Sequence, residues 1–162
     1  MASSDDIIRV VDIPFDEHIP IEQLRGPAKK WFREKYRTHD EITNRETGRK
    51  IDIRGGGIGH TISNTRSVDV VYSMDVLPEM IERMTYVGSS PPHPPEEGKP
   101  IPENFLGVEL YRVQVQVREK LYTAEFVVKI ERKEKTEVGK IGKVRLYYYN
   151  HKFTKGPAER TA

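Results

Sequence analysis

Residues 110–130 read LYRVQVQVREKLYTAEFVVKI, and this stretch decides the fold class. From Leu110 to Val117 the residues alternate, with Leu110, Arg112, Gln114 and Gln116 on one side of an extended chain and Tyr111, Val113, Val115 and Val117 on the other. A period of two is the signature of a β-strand with one buried face. Leu121 to Ile130 continues the β-branched and aromatic composition after a short polar turn at Glu119–Lys120, which predicts an antiparallel hairpin. Val144 to Tyr149 supplies a final strand, with Asn150, His151 and Lys152 at its end. Between them, Glu131 to Lys143 is charged, contains two glycines and reads as a loop.

Upstream the pattern changes. Ile7 to Ile13 is β-branched enough for a first strand or extended arm. From Ile21 to Tyr36 the spacing of Leu24, Ala28, Trp31 and Phe32 is helical. Pro27 suits a first turn, so the regular helix is expected to start near Gly26 and run over 27–36. Its exposed side is basic, with Arg25, Lys29, Lys30, Arg33, Lys35 and Arg37. Glu41–Asn44 and Lys50–Arg54 flank a turn at Arg45–Gly48 and predict a short hairpin. Val68 to Met74 is short and apolar. Asp75 as an N-cap and Glu79 in the first turn predict a helix over 76–84, with Leu77, Met80, Ile81 and Met84 packing in the core. Thr85 to Val87 begins a strand that stops at Gly88. Ser89 to Glu103 reads SSPPHPPEEGKPIPE, whose prolines predict an extended surface loop through 90–102. Helices followed by strands predict one α+β domain over residues 1–162, with N-terminal helices packed on an antiparallel β-meander and a mobile tail after about 154. Trp31, Phe32, Leu77, Ile81, Val113, Val115, Phe126 and Val128 are the expected core.

The composition excludes several classes of function. The chain of 162 residues contains no cysteine, which removes disulfide frameworks, thiol nucleophiles and thiolate metal sites and fits a cytoplasmic location. No apolar run reaches a membrane span. The five histidines form no helical pair enclosing a carboxylate, so neither a metal nor another cofactor is expected. A net charge of +2 does not by itself announce nucleic-acid binding, although the basic residues are locally clustered.

Residues 44–63 read NRETGRKIDIRGGGIGHTIS and carry the chemistry. Three glycines, Gly55 to Gly57, precede His60, Thr61 and Ser63, and glycines there mark a sharp turn or a close backbone approach. The run lacks the lysine and hydroxyl of a phosphate-cradling P-loop, and Ser63 has no nucleophile-elbow sequence. His60 and His151 remain as titratable groups near strand ends. Metal-free RNA cleavage needs a base for the 2′-hydroxyl, an acid for the 5′-oxygen and donors on the phosphate. Histidine suits both proton-transfer roles, arginine and lysine supply charge, and tyrosine can stack on a base.

The run ITNRETGRKIDIRGGGIGHTIS, the segment VLPEMIERMTYVGS and the terminal YYYNHKF resemble the nuclease-like domains of the barnase–EndoU–colicin–RelE fold found in phage and prophage polyvalent proteins. The shared pattern is a TG-x-x-I strand, a GI-x-x-T-x-S turn, an LPE helix and a closing tyrosine-rich strand, over about Ile7 to Phe153. The sequence departs from it in the long proline-rich loop and at Gly59, where a basic residue is expected. The resemblance implies a ribonuclease-toxin-like fold and RNA cleavage by attack of the 2′-hydroxyl. His60 and His151 would then share acid and base work, with Ser63 or Tyr149 donating a hydrogen bond. Arg54, Thr61 and Lys152 would bind the substrate, and an antitoxin or phage protein is a possible partner. The alternative is a non-catalytic module of the same fold that holds nucleic acid or protein through its basic helix and sheet face.

Overall fold

The computed structural model describes residues 7–11, 13–16, 18–39, 41–54, 56–91, 98, 100, 105–132 and 144–155. Most of the expected proline-rich loop, the charged loop beyond Arg132 and the tail beyond Lys155 lie outside these residues. In chain order the elements are β1 (Ile8–Val10), α1 (Ile21–Lys35), β2 (Glu41–Thr43), β3 (Lys50–Asp52), α2 (Gly57–Asn64), α3 (Val68–Ser73), a 3₁₀ turn (Met74–Val76), α4 (Leu77–Arg83), β4 (Thr85–Ser90), β5 (Phe105–Val117), β6 (Lys120–Arg132) and β7 (Val144–Lys155). The protein is α+β, with the helices covering one face of a seven-stranded sheet ordered β1-β5-β6-β7-β3-β2. β4 shares the outer edge of β5 with β1.

The three long strands form the expected antiparallel meander, and Tyr111, Val113, Val115 and Val117 face inward as the alternation predicts. The sheet as a whole is mixed rather than antiparallel. β1 lies parallel to β5, and β3 lies parallel to β7. Both parallel neighbours come from the helical half of the chain, where helices supply the crossover that a parallel pair needs. The β5–β6 turn falls one residue early, at Arg118–Glu119, and both residues have positive φ (50° and 71°). This is the backbone of a tight hairpin turn built without glycine. Arg118 reaches buried Asp69 on α3 at 2.7 Å, and the Tyr122 hydroxyl donates to the same carboxylate, so the turn is clamped from the helical layer.

Four local readings need correction. First, α1 starts at Ile21 behind extended Pro20, so Pro27 lies inside the helix. The proline removes the bond to the Gln23 carbonyl on the exposed side, where solvent can take it, while the Leu24, Ala28 and Phe32 stripe is fully buried. Second, Trp31 lies outside that stripe and is 48% exposed, touching Phe15 edge-on. Third, residues 57–64 are helix rather than turn, because Ile58, Thr61 and Ile62 supply a buried i, i+3, i+4 face. Val68 to Ser73 is also helical, capped by the Ser67 side chain. Fourth, Asp75 ion-pairs with Lys35 instead of capping α4, which begins after Val76 with Pro78 in its first turn.

The β2–β3 hairpin forms as expected, and Asn44 locks it to α4. Its side-chain amide is completely buried and donates to the carbonyls of Ile81 and Met84, each at 2.8 Å. Its carbonyl oxygen accepts from the backbone N–H and hydroxyl of Thr47, both at 2.9 Å. Every polar atom of that side chain is satisfied, as burial requires.

Two glycines should respond oppositely to the same substitution. A Cβ at Gly57 would stand 2.1 Å from the Tyr148 carbonyl oxygen, whereas nothing lies within 4 Å of one at Gly26. Gly57→Ala should cost about 3 kcal/mol in urea unfolding, as overpacking against backbone does. Gly26→Ala, in an exposed helix, should stabilise by about 0.5–1 kcal/mol.

Candidate functional site

A β-bulge sorts the residues that the sequence groups at the end of β7. Leu146 and Tyr148 pair with Ile130 and Val128, while Asn150 and His151 pair with Val127 and Phe126, so Tyr149 is the extra residue. An extra residue shifts the alternation by one. Tyr148 and His151, three apart, therefore both face the core, at 0% and 3% exposure. β3 accompanies β7 only as far as Asp52 opposite Tyr147. The bulge thus sits where β3 leaves the sheet edge and α2 begins.

α2 can begin there because Gly56 takes a left-handed φ of 92° and Gly57 packs directly on the Tyr148 carbonyl. The next residues present His60, half-buried, with its ring stacked on Tyr149 at 4.4 Å and 28°. Lys129 Nζ lies 3.9 Å from the centre of the Tyr149 ring and 5.2 Å from that of Phe105. The Asn64 amide donates to the His60 carbonyl at 2.7 Å and lies 3.3 Å from its Nδ1. An amide nitrogen only donates, so Nδ1 accepts and Nε2 carries the ring proton. His60 is thereby set up as a hydrogen-bond donor through Nε2. Against Gly59, the Arg33 guanidinium of α1 comes within 2.8 Å of where a Cβ would stand.

Beneath this surface a buried hydrogen-bond chain joins α2, α3 and β7. The Thr61 hydroxyl meets that of Tyr148 at 2.7 Å, Tyr148 meets His151 Nδ1 at 2.7 Å, and His151 Nε2 meets Ser73 Oγ at 2.8 Å. Ser73 Oγ donates onward to the Val70 carbonyl at 2.6 Å. Because Ser73 spends its proton there, it accepts from His151 Nε2–H, and the other protons follow. Tyr148 donates to Nδ1, and Thr61 donates to Tyr148. Phe126 stacks on the imidazole at 4.7 Å and 13°.

With this geometry in place, a family model described as large polyvalent protein-associated domain 3 matches residues 20–147. The chain belongs to that family. The matched span carries Arg33, His60 and Lys129 and ends just before the bulge. Comparison with curated proteins and with solved structures finds no match.

In this polyvalent protein-associated domain the structure brings His60 and Tyr149 together and places Ser63, exposed, one turn further along α2. Thr61 and His151 are also joined, but through Tyr148 in the interior. His60 stacks on Tyr149 and bonds Asn64, whereas His151 bonds Tyr148 and Ser73 and stacks on Phe126. His151 is not at a strand end, because β7 continues to Lys155. Lys152 alternates with it onto the outer face opposite Glu125, and Arg54 lies beyond β3 with its backbone N–H on Asp52. Among the described residues no three histidine, aspartate or glutamate side chains converge as metal ligands, and no helix is long and apolar enough to cross a membrane. Lys129 could have been read as an outward cation on β6. Its Tyr149 partner could not, because the contact depends on the bulge.

Burial pushes the His151 imidazole down to about 3 and the Tyr148 hydroxyl up. An unfolded histidine titrates near 6.5, so the unfolded chain takes up this proton first as pH falls. The stability due to neutral His151 is therefore complete above about pH 6.5 and is lost progressively toward pH 3. His151→Gln should be less stable at pH 7.5, and its deficit relative to the natural chain should shrink by about 2 kcal/mol by pH 5. Urea midpoints across that range measure it; a constant deficit would mean that His151 does not enter the core neutral.

Proposed function

We propose that the domain is a single-stranded RNA-binding module of a phage or prophage polyvalent protein, with the His60–Tyr149–Lys129 stack as its contact point. The observation that carries this reading is Tyr149 at a sheet edge, with the half-buried His60 imidazole stacked on one face and the flexible Lys129 side chain, which an incoming base displaces, 3.9 Å over the ring centre. Aromatic faces beside cations hold unpaired bases and their phosphates without needing a sequence code. Arg33 adds an exposed cation beside the same helix.

Ribonuclease action through His60 and His151 asks more of the site. It needs two proton-transfer groups on one phosphate, and both nitrogens of His151 are engaged with Tyr148 and Ser73 in the interior. A cleaving domain would have to use His60 with a different partner, of which Tyr149 is in contact. The family membership fits either activity and selects neither.

Fluorescence anisotropy with a labelled single-stranded oligoribonucleotide in excess chelator tests this directly. Tyr149→Ala should weaken binding by roughly 5- to 100-fold, the range for one stacked base. Lys129→Ala should make binding less salt-dependent, and His151→Gln should bind as the natural chain does. Intact RNA after incubation from pH 5 to 8 supports binding alone. Products with 2′,3′-cyclic phosphate ends that vanish in His60→Ala, yet persist in His151→Gln, would establish a ribonuclease instead.

A further inference from the structure

A groove of about 520 Å³ lies between the β2–β3 hairpin and the start of β7, apart from the His60 stack. Its floor is the outer face of the sheet, where Lys50 and Asp52 alternate with buried Ile51. Asp52 organises the groove. Its Oδ2 holds the Arg145 guanidinium at 3.0 Å, and its Oδ1 accepts the Arg54 backbone N–H at 2.7 Å with Arg54 Nε 3.9 Å away. Arg145 also lies over the Tyr147 ring, 5.0 Å from its centre. One carboxylate thus gathers two guanidinium groups, one from β7 and one from the segment after β3, and groups already restrained lose less freedom when a ligand arrives. Lys50 is exposed, and Arg49 is tied to buried Glu109 at 3.2 Å. Four cations line the groove against Glu41 and Asp52, with Glu109 holding Arg49 and Glu131 standing opposite Arg145 on β6.

We propose that this groove is a phosphate-binding cleft and that it takes an internal phosphodiester of the RNA strand held at Tyr149. The proposal rests on the RNA-binding reading for its ligand and on the groove alone for its chemistry. Guanidinium forks match phosphate oxygens in pairs, and two forks approaching from β7 and from the segment after β3 suit a tetrahedral anion. Asp52 stands opposite Tyr147, and Tyr149 is two residues further on, roughly 7 Å along an extended strand. The two places therefore lie along one strand.

The full chain is titrated with an oligouridine trimer and decamer, both with 5′-hydroxyl ends, and with inorganic pyrophosphate. Arg145→Gln should weaken the decamer at least 10-fold and lower its salt slope by about 0.7, the value for one phosphate contact on a single strand. Trimer binding, which brings two phosphodiesters within the same reach, should weaken by a smaller factor, and Tyr149→Ala should weaken both. Lys50→Gln should act on the decamer in the same direction, and because Lys50 is exposed it guards against a folding defect in Arg145→Gln. Pyrophosphate should raise the melting temperature of the natural chain and not that of Arg145→Gln.

Natural affinity and salt slope for the decamer in both variants would overturn the cleft while leaving the Tyr149 reading intact. A gain from a 5′-phosphate that Arg145→Gln abolishes, without any gain from length, would overturn the internal phosphodiester in favour of a chain end. If the natural chain binds neither oligonucleotide, the RNA reading and its phosphodiester fall together. The pyrophosphate shift then decides the phosphate cleft by itself: present and lost in Arg145→Gln it stands, absent it falls.

Discussion

The contact between the Gly57 backbone and the Tyr148 carbonyl governs how the helical layer meets the sheet. There is no room at position 57 for even one carbon, since a Cβ would stand 2.1 Å from the oxygen. That closeness brings the first turn of α2 onto β7 at its bulge and sets where the following residues fall. Ile58, Thr61 and Ile62 go inward, His60 goes onto Tyr149, and Gly59 meets Arg33. The glycine run is therefore a packing device first. The His60–Tyr149 stack exists because that packing places an imidazole at the edge of a sheet.

Buried polar groups supply the specificity that apolar packing lacks. Asn44 fixes the β2–β3 turn to the end of α4, and Asp69 fixes the β5–β6 turn to α3. The Thr61–Tyr148–His151–Ser73 chain ties α2 and α3 to β7. Each joins a helix to a strand or turn distant in sequence, and each has its donors and acceptors matched. An unmatched donor or acceptor in such a place costs on the order of 1–3 kcal/mol, so sliding any helix along the sheet is strongly opposed. Core methionines and valines alone would tolerate small shifts.

The same bulge divides structural from surface chemistry within four residues. Tyr148 and His151 go to the interior, where burial holds the imidazole neutral. Tyr149 remains at the edge beside Lys129, with the Asp52–Arg145 groove further along the same strand. A histidine close in sequence to a tyrosine-rich strand end thus becomes a core residue, while the distant His60 becomes the accessible one.

Periodicity alone determined the long strands, the inward valines of β5, the methionine face of α4 and the α+β class, because a repeating pattern over many residues outweighs local exceptions. The core was legible for Phe32, Leu77, Ile81, Val113, Val115, Phe126 and Val128, and not for Trp31, which lies just off the buried stripe of its helix. The close backbone approach that the glycines signal is the one Gly57 makes on Tyr148, but the helix over 57–64 has no local signal because glycine discourages a helix in isolation. The parallel placement of β1 and β3 has no local signal, since it depends on which sheet edge remains free once the meander has formed. Tertiary structure alone decided the geometry of the candidate site. One extra residue in β7 reverses the facing of everything after it, and a period of two read from sequence cannot reveal where that residue is inserted.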